Sequence, residues 1–108
     1  MQENTPEKLQ LIKSAVKQRN ILWTYHVFMR MQDRSIPRSS ILDSADTFEI
    51  VESYPDDKYM PSCLVRAESE EGIIHILFAL DVRDGFVRVI TAYRPDIALW
   101  SPDGRLRL

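Results

Sequence analysis

The spacing of apolar residues changes once along the chain, from helical in the first half to strand-like after residue 47. Leu9, Ile12 and Val16, flanked by Leu11 and Ala15, recur every three or four positions, and Thr5 before Pro6 supplies a cap and a first helical residue. This predicts a helix from Pro6 to Arg19, with Asn20 as a left-handed cap. The β-branched and aromatic run "ILWTYH" suits either a short strand or the approach to a second helix, predicted from Tyr25 to Arg34. Pro37 is tolerated in a first turn but excluded from a helix interior, so a third, short helix capped by Ser35 or Ile36 is expected to end near Ala45. Beyond it stand four strand patterns, "FEIVESY", "CLVRAES", "IIHILFALDV" and "FVRVITAY", divided by turn residues. The third is almost continuously apolar, as a strand covered on both faces should be. Helices followed by an antiparallel meander read as α+β: two to three N-terminal helices on a four-stranded, mainly antiparallel sheet.

Hairpin loop length fixes register, and register decides which side chains share a face. With "RDG" as a three-residue loop and Gly85 left-handed, Val82 pairs with Phe86, His75 with Tyr93 and Leu77 with Thr91. With "EEG" as the equivalent loop, Ala67 falls opposite His75. One face is then expected to carry His75, Thr91 and Tyr93 among Ala67, Val65, Ala79 and Val89. The other carries Ile74, Ile76, Phe78 and Ile90, with Arg66, Arg88 and Arg94 among or beside them. The pattern leaves open which face packs on the helices.

Composition narrows the class. A chain of 108 residues, 44% apolar and 28% charged, has room for one core and one domain. No apolar run approaches the roughly 20 residues that span a bilayer, and "MQENTPEKLQ" lacks the basic-then-apolar pattern of a signal peptide. With the lone Cys63, read as a small buried apolar residue, this favours a reducing cytoplasm. Two histidines and one cysteine far apart in sequence give no metal-ligand spacing, so neither a metal nor another cofactor is expected. The net charge of −2 argues against a broadly basic nucleic-acid surface without excluding a local one. Arginine outnumbers lysine ten to four, and its planar fork suits phosphate. His26, Arg30 and Arg34 stand four residues apart on a predicted helix, hence along one side of it.

The run H-x-x-x-R-M-x-x-R-x-I from His26 to Ile36, "YPDD" at Tyr54, "PSCL" at Pro61, I-H-I around His75, and "ITAY" followed by "PD" and Trp100 resemble a bacterial family, the domain of unknown function 4258. The resemblance covers Trp23 to Trp100. It leaves residues 1–20 as a helix outside the family core and residues 101–108 as a tail or edge strand. Ile74 stands where the family usually has leucine, and Pro37 where it has Ser or Thr; neither change removes a polar group from the candidate site. The resemblance implies a RelE-like fold, metal-independent RNA cleavage, and a cognate antitoxin of the zinc-finger MqsA or YgiT type as partner.

Metal-free RNA cleavage needs a base for the 2′-OH, an acid for the leaving 5′-oxygen, and cations for the phosphate. His26 or His75 are the candidate acid and base, and Tyr93 a second acid or a stacking platform. Thr91 would orient the phosphate; Arg30 and Arg34 would stabilise it, with Arg88 and Arg94 as further substrate-binding candidates. The bland readings are a backbone-bonded His26, a satisfied core His75, and Arg30 and Arg34 paired with Asp33, Asp56 or Asp57. The competing class is a non-catalytic interaction module that binds a partner by a sheet edge or an apolar face. RNA, including ribosome-bound messenger, is the expected ligand of the first class. Sequence does not assign an oligomeric state.

Overall fold

The structure, a computed structural model, describes residues 5–58 and 60–108. Three helices, α1 (Thr5–Lys17), α2 (Tyr25–Asp33) and α3 (Arg38–Leu42), accompany five strands. The strands are β1 (Ile21–Trp23), β2 (Glu49–Tyr54), β3 (Ser62–Ser69), β4 (Gly72–Asp81) and β5 (Phe86–Tyr93). They form one sheet in the order β1-β5-β4-β3-β2, antiparallel except that β1 runs parallel to β5. The α+β class therefore holds, with a fifth strand added by "ILW".

Helix ends explain the small shifts from expectation. α1 starts at the first described residue, so its cap lies outside the described residues. It closes on Arg19 at φ +64°, one position before Asn20, and the Arg19 guanidinium offsets that left-handed backbone by bonding the Val16 carbonyl at 3.0 Å. In α2 the Thr24 hydroxyl accepts from the Val27 amide at 3.1 Å, fixing the helix start beside the last residue of β1. α3 is capped by Pro37 rather than Ser35 or Ile36. It stops at Leu42, short of Ala45, where the Ser44 hydroxyl turns back to the carbonyls of Ser40 and Ile41.

Register corrects the expected grouping of faces. Glu70 and Glu71 form a two-residue loop between Ser69 and Gly72, which puts Arg66 and not Ala67 opposite His75. Val65 and Ala67 thus move to the other face, and Arg66 joins His75. In the last hairpin Asp81 pairs with Phe86, so the loop is four residues, not three. A bulge at Ile90 compensates: beyond it His75 lies opposite Tyr93 and Leu77 opposite Thr91, as expected. The same bulge leaves Arg88, opposite Ala79, on the His75 face and Val89, opposite Phe78, on the reverse. A second bulge, at Val51, places Glu49 and Glu52 on the His75 face together.

The reverse face takes the helices. Ile12, Val16, Val27, Met31 and Ile41 pack on Val65, Ile74, Ile76, Phe78 and Val89 in one buried cluster. The His75 face is roofed in part by the C-terminal segment, which is no loose tail. Backbone bonds from Ser101 to Leu106 and from Leu108 to Leu99 make it a hairpin, which presses Trp100 and Gly104 onto His75. No described helix is long and apolar enough to cross a membrane.

Candidate functional site

Where the C-terminal hairpin stops covering the His75 face, a groove of about 320 Å³ remains, lined by Tyr54, Leu64, Leu77, Thr91, Tyr93 and Arg107. Thr91 and Tyr93 are two apart on β5 and so project the same way. The Tyr93 hydroxyl lies 3.4 Å from Nδ1 of His75, with the rings edge to face. His75 itself is fully buried, and its Nε2 stands 2.8 Å from the Gly104 carbonyl. Burial holds the imidazole below its ordinary value of 6.5 despite that bond. Burial also raises the Tyr93 phenol, which keeps its proton at neutrality. Any base action by Tyr93 must therefore pass its own proton on, and Nδ1 of His75 is the nearest recipient.

The second half of the site comes from α2. Arg34 Nη1 donates to Thr91 Oγ1 at 3.2 Å and to the Ala92 carbonyl at 2.8 Å, reaching over the edge of β5 beyond the end of β1. Its Nε and Nη2 have no partner among the described residues. Arg94 returns the contact, donating to the carbonyls of Arg34 and Ser35 and to Glu71 at 3.1 Å. That guanidinium is a clasp between β5 and the end of α2, not a free phosphate ligand. His26 and Arg30 are exposed on the same flank of α2, and among the described residues neither has a hydrogen-bond or ion-pair partner. The Tyr25 ring lies 6.4 Å from that of His26, edge to face. A rise of 1.5 Å per residue separates His26, Arg30 and Arg34 by about 6 Å each, so they suit successive phosphates of a strand rather than one.

The opposite wall was not foreseen from sequence. Glu52 accepts two bonds of 2.9 Å from Arg107 and one from the Tyr54 hydroxyl, and is held below its ordinary carboxylate value chiefly by Arg107. The Arg107 guanidinium also lies 4.5 Å from the Trp100 ring centre. Asp57, from the "PDD" turn, bonds the Ser62 hydroxyl and reaches the rim of the groove instead of pairing with Arg30 or Arg34. Arg88 is exposed lower on the same face, beside a second depression formed with Leu22, Met60 and Phe86. The signals for Arg107 and Gly104 were a Pro-Asp-Gly turn and an alternation of Arg and Leu. They read as a tail or edge strand, not as a hairpin roofing His75, because the inward residues are arginines.

The structure thus brings Arg34, Thr91, Tyr93 and His75 into one continuous array, with His75 behind the surface. His26, Arg30 and Arg88 stand outside it, and Arg94 is committed elsewhere. Among the described residues no three His, Cys, Asp or Glu side chains gather as metal ligands. Residues 23–94 match a family described as a domain of unknown function, DUF4258. No curated protein and no solved structure matches the chain.

Proposed function

The chain belongs to the DUF4258 family, and from that premise we propose that it is a ribonuclease of RelE-like type, the toxin of a type II toxin–antitoxin pair. The observation that carries the reading is the array itself: at an open groove, a phenol backed by a buried imidazole, next to Thr91, which accepts from a guanidinium whose Nε and Nη2 have no partner among the described residues. Tyr93 takes the proton of a 2′-OH as its own moves to Nδ1 of His75. The 2′-oxygen attacks phosphorus and the bond to the 5′-oxygen breaks, leaving a 2′,3′-cyclic phosphate and a 5′-hydroxyl. The leaving oxygen takes its proton from water, and the resulting hydroxide recovers one from His75 through Tyr93. Arg34 stabilises the phosphorane charge, Thr91 orients the phosphate, and Arg30 and His26 hold the strand upstream or downstream.

The acidic net charge fits a substrate delivered on the ribosome better than free RNA, since non-specific affinity depends on neutralising phosphates. A zinc-finger antitoxin lying over the groove would silence it. The deciding experiment compares growth and RNA integrity in bacteria expressing the wild type, Tyr93→Phe and His75→Ala, each first shown to be folded. Arrest with RNA ending in cyclic phosphate for the wild type alone supports the proposal. Intact RNA and normal growth with folded wild type overturn it. The competing module reading draws on Leu99, Leu106 and Leu108, exposed at 55%, 69% and 74% on the C-terminal hairpin. It predicts capture of a partner that Tyr93→Phe does not disturb.

A further inference from the structure

We propose that the C-terminal hairpin, which lies beyond the family-matched residues 23–94, is a positioning element of the site. Its Gly104 carbonyl fixes His75 as the Nε2–H tautomer and so turns Nδ1 into the acceptor that orients the Tyr93 hydroxyl. Its importance for catalysis rests on the nuclease reading above; the tautomer itself does not.

The assignment follows from donor and acceptor logic. A carbonyl oxygen only accepts, so the 2.8 Å contact between Nε2 and Gly104 requires a proton on Nε2. A neutral ring then carries a lone pair on Nδ1, so the Tyr93 hydroxyl, 3.4 Å away, must be the donor in that contact. The proton of Tyr93 is thereby aimed inward, and its oxygen lone pairs face the groove. With the other tautomer the phenol would have to accept from Nδ1–H and would aim its proton outward, as an acid.

The hairpin is built for this contact. Gly104 sits at φ +74°, and a Cβ there would lie 3.1 Å from Ile73 Cγ2 and 3.3 Å from His75 Nε2. The carbonyl before it, of Asp103, accepts from Nε of the buried Arg66, the cross-strand partner of His75. Two consecutive carbonyls therefore satisfy the two polar side chains buried side by side in the sheet. Trp100 stands edge-on to the imidazole at 4.5 Å, preventing the ring from turning over. Arg105 and Arg107 tie the hairpin down to Glu49 and Glu52, each by two bonds of 2.9 Å.

The chain has two histidines, so histidine ¹⁵N labelling with long-range proton–nitrogen correlation reads the tautomer directly, and His26→Gln assigns the signals. The expected pattern for His75 at neutral pH is a protonated Nε2 and a bare Nδ1. A proton on Nδ1, or equal populations, overturns the inference in the wild type, whatever any variant does. Gly104→Ala is then expected to mix the tautomers and lower kcat of RNA cleavage by about a hundredfold with KM unchanged. An unaltered tautomer with unaltered kcat in folded Gly104→Ala also overturns the positioning role. The two proposals separate: the Nε2–H form in a protein that leaves RNA intact removes only the nuclease, whereas cleavage with the proton on Nδ1 keeps the nuclease and removes both the hairpin's role and the proton route from Tyr93 to Nδ1.

Discussion

Two populations of arginine divide this molecule. On the His75 face, Arg66 meets Glu49 and Glu68, Arg105 meets Glu49 and Asp103, and Arg107 meets Glu52. Around α2, Arg30, Arg34 and Arg38 have no carboxylate within ion-pair distance among the described residues. Arg38 lies instead over the rings of Trp23 and Phe28, 5.2 and 4.7 Å from their centres. Net charge is therefore a poor guide here. One set of arginines is engaged by Glu49, Glu52, Glu68 and Asp103, and the other set has no carboxylate partner among the described residues and can meet an anion. The first set makes structure; the second is available for function.

The widest separation between the sets should appear on replacing Arg66. Its guanidinium is buried and donates to the Asp103 carbonyl and to Glu68, so Arg66→Ala leaves that carbonyl without its donor and empties a buried site; a loss of about 3 kcal/mol in denaturant unfolding is expected. Arg34→Ala is expected to lower RNA cleavage by about a hundredfold. In Arg30→Ala, RNA binding should weaken and its dependence on salt flatten by about one charge, with unfolding unchanged within about 0.5 kcal/mol. If Arg30→Ala unfolds the protein while Arg66→Ala does not, the division is wrong. Thermal melts against pH should show a further difference. His75 is held below 6.5 in the fold and titrates near that value when unfolded, so stability declines as pH is lowered through and beneath 6.5. That slope should vanish in His75→Gln. Glu49 and Glu52 are held below their ordinary 4.5, and their contribution persists until the pH falls under that value. The smallest effect is expected for Arg105→Gln, an exposed pair whose loss should leave the melting temperature where it was.

Much of this was legible in the residues, for reasons that differ by element. Apolar spacing located the helices and all four strands of the meander, because burial sets that spacing directly. The pairing of His75 with Tyr93 came out right although the turn was one residue longer than expected, since the bulge at Ile90 restored the register. No compensating bulge exists between β3 and β4, so Arg66 was assigned to the wrong face. Neither bulge has a glycine or proline to announce it. The contact of Arg34 with Thr91 was within reach of helical spacing, whereas the union of His75 with Gly104 was not. It joins residues 29 apart through a carbonyl that carries no side-chain signal.

Arg34 has one more consequence, unrelated to phosphate. β1 accompanies β5 only as far as Val89, and the remainder of β5 presents an unpaired border. By occupying the Ala92 carbonyl, the Arg34 guanidinium places a charged group where a strand from another molecule would otherwise align. A charge so placed opposes edge-to-edge pairing, and concentrated Arg34→Ala protein is expected to aggregate sooner than Arg30→Ala.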